Sequence, residues 1–367
     1  MSGWSWGIEC VERGWIPDAW TRAAIRRLCA ARLQECGGGR DLALACEESE
    51  SFLEELRRGP IALVPERANE QHYEVPPEFF GLVLGRHRKY SCCWWPAGVE
   101  SLDEAEAAAL DETCRRAQLE DGQDILELGC GWGSLSLWMA SRYPHSRITA
   151  VSNSRPQRQY IESEARRRGI DNLTVLTADM NHFQFAGTCD RVVSVEMFEH
   201  MRNYERLLRG IRSWLRPDGA LFVHIFCHRE FAYPFETEGD ENWMGRHFFT
   251  GGLMPSEALL ARFQTDLRLE RQWRWSGQHY QRTADAWLAN LDRERTAARA
   301  ILAQCYGAAA ADRWLNRWRM FFLAVSELFG YSGGREWFVG HYLFRPQAAP
   351  TSSCRTADDW TQSAATN

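Results

Sequence analysis

The chain has 367 residues, 45% of them hydrophobic, 25% charged and 12% aromatic, with 17 tryptophans, 12 cysteines and a net charge of −6. That balance, with a pI near 6.0, excludes a protein working through a broad cationic face on nucleic acid. No apolar run is long enough to span a membrane.

The N-terminus "MSGWSWGIECVERGW" lacks the basic start and apolar core of a signal peptide, so a cytoplasmic protein is expected. The cysteines have no C-x-x-C pair, and Cys92–Cys93 is an adjacent doublet. They read as reduced thiols rather than a disulfide framework or a metal site. So much tryptophan implies an aromatic-lined cavity. Lys89 is the only lysine among 43 basic residues, which reads as coding bias.

In chain order, 18–58 reads as two or more helices broken at Gly37–Gly39, with Asp18 as an N-cap. Residues 59–100, rich in Pro, Gly and aromatics, connect this arm to the core. From 101 an amphipathic helix starts, with Ser101 and Glu104 in capping-box spacing. Strands at 124–129, 147–152, 173–178, 190–195 and 219–226 then alternate with helices near 133–142, 155–168 and 203–215. This alternation predicts an α/β fold with a doubly wound, mostly parallel Rossmann-like sheet. An aromatic loop follows at 228–253, then an α/β pair at 255–276, a helical segment at 282–331 and a late strand at 336–346. The expected organisation is a helical N-terminal arm and active-site cover (1–100), a core with a helical insertion at about 228–331 (101–346), and a disordered polar tail (347–367).

"QDILELGCGWGSLSLWMA" runs a strand into Gly129, Gly131 and Gly133, and a helix starts at once. Glycines there let a ligand approach the main chain closely. The spacing is G-x-G-x-G, not the G-x-G-x-x-G of dinucleotide sites, and the preceding acid, Glu127, suits an amino-acid-bearing cofactor. With the strand pattern, this looks like motif I of a class I S-adenosylmethionine-dependent methyltransferase. The match carries further residues with it. Asn153 and Gln157 stand where such enzymes usually place an acid for the ribose. Asp179 and Met180 would meet the adenine, and Val195 ends the fourth strand.

"SVEMFEHMRNY" puts Glu196, Glu199 and His200 directly after that strand. If the segment turns helical after Val195, the three share one face. The bland reading is an acidic helix start with a surface histidine.

The runs "QHYEVPPEFFGLVLGRHRKYSCCWW", "VEMFEHM", "WMGRHFFTGGLMPS", "GQHYQRTADAWLANL" and "WRMFFLAVSELFGYSGGREW" resemble the coclaurine N-methyltransferase-like enzymes. These form the benzylisoquinoline and pavine N-methyltransferase branch of the cyclopropane-fatty-acid synthase superfamily, and the likeness covers roughly 70–345. It implies methylation of a small cyclic or aromatic-bearing amine by S-adenosyl-L-methionine, while charge and hydropathy lead to the expectation of no nucleic acid and no membrane span. The same resemblance makes Glu199 and His200 the catalytic pair and Glu196 their neighbouring carboxylate. Tyr90 and Ser91 would close over the cofactor, Glu74 would hold the substrate cation, and Trp318 and Phe321 would wall the substrate pocket. The runner-up is lipid carbon methylation around a bound bicarbonate, for which Cys92, Glu199, His224 and Tyr280 are the counterparts. In the amine branch Tyr280 and His224 would sit near the substrate as shared framework. A homodimer through the arm is left open.

Overall fold

The structure, a computed structural model, describes residues 3–37, 42–63, 75–239 and 242–347. Glu74 and the tail from 348 lie outside the described residues.

The glycine-motif strand β1 (Asp124–Leu128) is buried along its length, as suits a parallel strand covered on both faces. It pairs in parallel with β2 (Arg147–Ser152) on one side and β4 (Cys189–Val195) on the other. With β3 (Leu173–Thr177), β5 (Leu215–His228), β8 (Leu267–Trp275) and β9 (Trp337–Pro346), they form a seven-stranded sheet of order β3-β2-β1-β4-β5-β9-β8. β9 runs antiparallel to both β5 and β8. The order reverses between β1 and β4, and open α/β sheets bind ligands at that switch point, beyond the carboxyl ends of the strands. A two-stranded ribbon of β6 (Tyr233–Pro234) and β7 (Leu253–Met254) lies in the aromatic loop.

The helices follow local chemistry. In α5 (Leu102–Arg116) both halves of the Ser101–Glu104 capping box form. α6 (Ser134–Arg142) begins at Gly133, whose left-handed φ no side chain would favour. α7 (Arg155–Arg168) is capped by Ser154, with a left-handed Gly169 at its end. α8 (Tyr204–Trp214) is capped by Asn203.

The insertion forms α9 (Trp243–His247), α10 (Gly277–Arg293), α11 (Arg295–Tyr306) and α12 (Ala311–Gly330). One expectation fails here: the 255–276 segment holds β8 but no helix, only a single 3-10 turn at Leu260–Arg262. The late strand expected at 336–346 is β9, which lies between β5 and the edge strand β8 of the same sheet.

The arm is α1 (Gly3–Glu12), α2 (Asp18–Gly37), α3 (Leu42–Arg58) and α4 (Pro77–Val83). It does not stand apart. Arg22 and Arg26 of α2 bind Glu327 of α12, and Asp18 pairs with Arg319. Glu12 of α1 takes Arg317. The ten cysteines whose side chains are described are free thiols. Among the described residues, no helix is long and apolar enough to cross a membrane.

Candidate active site

A cavity opens at the switch point, and all the anticipated cofactor residues but Gly133 line it: Tyr90, Ser91, Gly129, Gly131, Asn153, Gln157, Asp179, Met180 and Val195. Each glycine has its own reason. A Cβ on Gly129 would fall 2.6 Å from Met197 Cβ, whereas one on Gly131 would project into open space within the cavity. Gly133 acts behind the wall, where its Cβ would strike Ile161.

The lining fits S-adenosylmethionine. Ser134 Oγ and Gln157 Nε2 are buried with no hydrogen-bond partner, and both belong to cavity-lining residues. Gln157 is held by Ser152, whose hydroxyl donates to its Oε1 at 2.7 Å, leaving the amide nitrogen to donate elsewhere. Glu127, also in the lining, accepts from Ser136 at 2.5 Å, and burial lifts its carboxyl to about 7. An ammonium beside it would supply the missing countercharge.

The opposite wall comes from the segment after α4. Glu106 of α5 accepts the backbone N–H groups of Gly85, His87 and Lys89, fixing the turn that delivers Lys89, Tyr90 and Ser91. Lys89 is 2% exposed; its ammonium donates to Ser91 Oγ at 2.5 Å and to the Cys92 carbonyl at 2.7 Å. The sequence reading passed over it. Its signal was there: in a chain that otherwise uses arginine alone, one lysine remains, and it sits in this wall.

Glu196, Glu199 and His200 do not form one helical face. Glu196 directly follows β4, in the left-handed region with φ 47°, and only a 3-10 turn, Phe198–His200, comes after it. Such a backbone is strained for a residue with a Cβ and persists where its surroundings fix it. Here the Glu196 N–H donates to the His224 carbonyl at 2.8 Å. Its carboxylate then collects three donors: Cys92 N–H at 2.9 Å, His224 Nε2 at 3.1 Å and the Tyr280 hydroxyl at 2.6 Å.

Those three donors are members of the bicarbonate set weighed from the sequence. The structure brings them together on the chain's own carboxylate. The thiol of Cys92, pushed far up by burial, stays neutral; only its backbone N–H serves the site.

Burial raises the carboxyl of Glu196, opposed by Lys89, the Tyr280 and Cys92 hydrogen bonds, and His200. Glu199 is 1% exposed, with Oε2 unpartnered, and is raised well above the ordinary range by burial and then by the charge of Glu196. Both carboxyls are raised, and the hydrogen bonds and Lys89, which act on Glu196, favour the charge there over Glu199. His200 lines the cofactor cavity, stacks on Phe249, and is lowered to about 4 by burial, so its ring is neutral at pH 7. Glu199 is not among the lining residues of that cavity.

A second cavity of about 440 Å³ lies beside the first. Its walls are aromatic and aliphatic, with Phe226, Phe235, Phe249, Phe329 and Trp337 among them. Ile8, Val11, Ile25 and Cys29 of the arm line its outer side. Tyr280 joins the two spaces: its ring lines this cavity and stacks on Phe329 at 4.4 Å, while its hydroxyl holds Glu196 of the other. Trp318 and Phe321, expected to wall a substrate pocket, instead face the core. Both are buried against Phe248, and α12 presents Met320, Ala324, Val325 and Leu328 to the cavity.

A doubly wound sheet, a glycine cradle at its switch point and unpartnered donors around it define a class I S-adenosylmethionine-dependent methyltransferase. Comparison with known proteins agrees. The profile of the mycolic acid cyclopropane synthetase family matches residues 64–331. (S)-Coclaurine N-methyltransferase of Thalictrum flavum subsp. glaucum is 38% identical over 92% of this chain and 94% of its own. Pavine N-methyltransferase of the same plant is 32% identical over 80% and 84%. The solved structure of coclaurine N-methyltransferase bound to N-methylheliamine and S-adenosylhomocysteine superposes with a TM-score of 0.88 at 39% identity, covering 92% of this chain and 98% of that one. The chain belongs to the mycolic acid cyclopropane synthetase family, in its coclaurine N-methyltransferase-like branch, and its methyl donor is S-adenosylmethionine.

Proposed function

We propose that the protein methylates the nitrogen of a small cyclic, aromatic-bearing amine, with Glu196, Glu199 and His200 as the base cluster. The observation that carries this reading is the position of Glu196. It faces the cofactor cavity and is tied through Tyr280 to the aromatic one, so an amine seated among the aromatic rings can present its nitrogen at the junction. The relatives named for coclaurine and pavine point to tetrahydroisoquinoline-type amines as the first substrates to try.

When bound, S-adenosylmethionine supplies a methyl group activated on a sulfonium, and its transfer leaves S-adenosylhomocysteine. The protein's task is to deliver an amine with a free lone pair. An ammonium arriving beside Glu196 favours the ionised form of that carboxylate, and Glu196 or His200 takes its proton, with Glu199 buried behind them. The aromatic walls hold the cationic form by facing ring quadrupoles toward it. Glu74 remains a candidate for the substrate cation by resemblance.

Lipid methylation around bicarbonate is the weaker reading, because Cys92 N–H, His224 and Tyr280 already serve Glu196. The test offers trideuteromethyl-labelled S-adenosylmethionine with cyclic amines, open-chain amines and unsaturated phospholipids, followed by mass spectrometry. Label on a cyclic amine is expected, and a methylene gain on acyl chains would overturn the proposal. Glu196→Gln and His200→Ala should each lower kcat/KM by ~10²–10⁴-fold. Affinity for S-adenosylhomocysteine, measured by calorimetry, should stay unchanged.

A further inference from the structure

Behind Glu196 runs a line of buried polar groups that methyl transfer itself does not use. Arg116 of α5, 9% exposed, donates from Nε to Glu112 at 2.6 Å and lies over the rings of Trp273 and Trp275. Its Nη1 stands 2.6 Å from His341 Nδ1. His341 of β9 and His224 of β5 sit directly opposite each other in the antiparallel pair, both fully buried. His341 Nε2 is 2.8 Å from His224 Nδ1, and His224 Nε2 is 3.1 Å from Glu196 Oε1.

The chain has one polarity. A guanidinium donates and never accepts, so His341 Nδ1 must carry the lone pair. His341 is then protonated on Nε2 and donates to His224 Nδ1, which leaves His224 protonated on Nε2 and aimed at Glu196. Burial, with Arg116 and Lys89 nearby, holds both imidazoles well below their ordinary value, so neither becomes an imidazolium that would break the sequence of donors.

We propose that Arg116 and His341 are positioning residues that fix the Nε2–H tautomer of His224, so that its ring always donates to Glu196 and keeps that carboxylate ionised and oriented at the junction of the two cavities. In the other tautomer a nitrogen lone pair would face the carboxylate, favouring its protonation. Lys89 and Cys92 from the segment after α4, His200 and Glu199 from the 3-10 turn, and Tyr280 of α10 are the other groups acting on Glu196. They are unchanged by the tautomer. The consequence for rate rests on the amine-methylation reading; the tautomer itself does not.

The first test is therefore made on the full-length protein without substrate. Long-range ¹H–¹⁵N correlation of ¹⁵N-histidine-labelled protein should show His224 and His341 both as neutral Nε2–H rings at neutral pH. An Nδ1–H form or an imidazolium at either position overturns the proposal, whatever the substrate proves to be. In His341→Phe and Arg116→Met, the His224 signal should become a tautomer mixture. The acidic limb of kcat/KM should move to higher pH, with a roughly tenfold loss at its acidic end and unchanged affinity for S-adenosylhomocysteine. His341→Gln, whose amide can accept from Arg116 and donate to His224, should restore most of the limb. A folded His341→Phe with an unmoved limb and only a lower Tm would reduce the line to a structural role.

Discussion

Lys89 shows why a conservative substitution need not conserve function. Its ammonium is a compact point charge, enclosed with Ser91 and Cys92 and acting on Glu196. A guanidinium is planar, larger and built for fork-like contacts. Lys89→Arg keeps the charge but overfills the wall, at a cost of about 1–3 kcal/mol. Lower Tm and lower kcat/KM are both expected, and a fully active, equally stable Lys89→Arg enzyme would mean that the wall needs only the charge and not the compact ammonium. Gly131 makes the complementary case. With φ 51° and open cavity where its Cβ would be, it has room for a side chain only in space the cofactor needs. Gly131→Val should abolish binding of S-adenosylhomocysteine by calorimetry while leaving a folded protein.

Among the elements, the contact between the arm and α12 decides the shape of the aromatic cavity. α1 and α2 supply its outer wall, and α12 supplies Met320, Ala324, Val325 and Leu328. They are held together by Glu327, 8% exposed at its side chain, which receives Arg22 at 2.8 Å and Arg26 at 2.6 Å. Arg22 also reaches Asp285 and Ser326. Removing the carboxylate leaves the half-buried guanidinium of Arg22 and the exposed one of Arg26 short of a partner, a loss of ~2 kcal/mol for hydrogen bonds to charge. Glu327→Ala should raise KM for the amine severalfold and leave cofactor affinity alone, because none of these helices lines the cofactor cavity. Equal damage to both affinities would show that the arm shapes the whole site.

Over the whole molecule, burial acts on the two kinds of titrating group with opposite signs. Glu106 and Glu127 are raised to about 7, and burial also lifts Glu199 well above its ordinary value. A carboxyl raised in the folded state contributes stability that is full below its unfolded value and is lost as pH rises through the folded one. His200, His228 and His247 are lowered to about 4. Their contribution is full above about 6.5 and is lost as pH falls toward about 4. The two groups oppose each other between about pH 4.5 and about pH 6.5. Glu199→Gln removes one carboxyl titration without changing shape, so its urea midpoint should gain on the wild type steadily as pH rises across that window. A constant offset between the two proteins would mean that Glu199 is not held protonated.

The local devices were legible in the sequence because each is written in neighbouring residues. The capping box at Ser101–Glu104, the limits of α7, the glycine cradle and the strand alternation all follow from patterns within one or two turns of chain. The cofactor residues were legible for the same reason, since they sit at the ends of strands whose order the alternation implies. The helix imagined over Glu196–His200 was not. Its spacing suits a helix, but Glu196 is held in a left-handed turn by His224, a residue 28 positions away on the next strand. The faces of α12 were also undecided, since Trp318, Met320 and Phe321 are all apolar and only packing against Phe248 tells core from cavity. The pairing of His224 with His341 depends on the register of two strands 117 residues apart. Sequence by itself determined the class of fold, the cofactor and the family, because those rest on short-range pattern. Only the tertiary structure decided which carboxylate occupies the junction and which donors hold it, because hydrogen bonds and burial join residues that the chain keeps far apart.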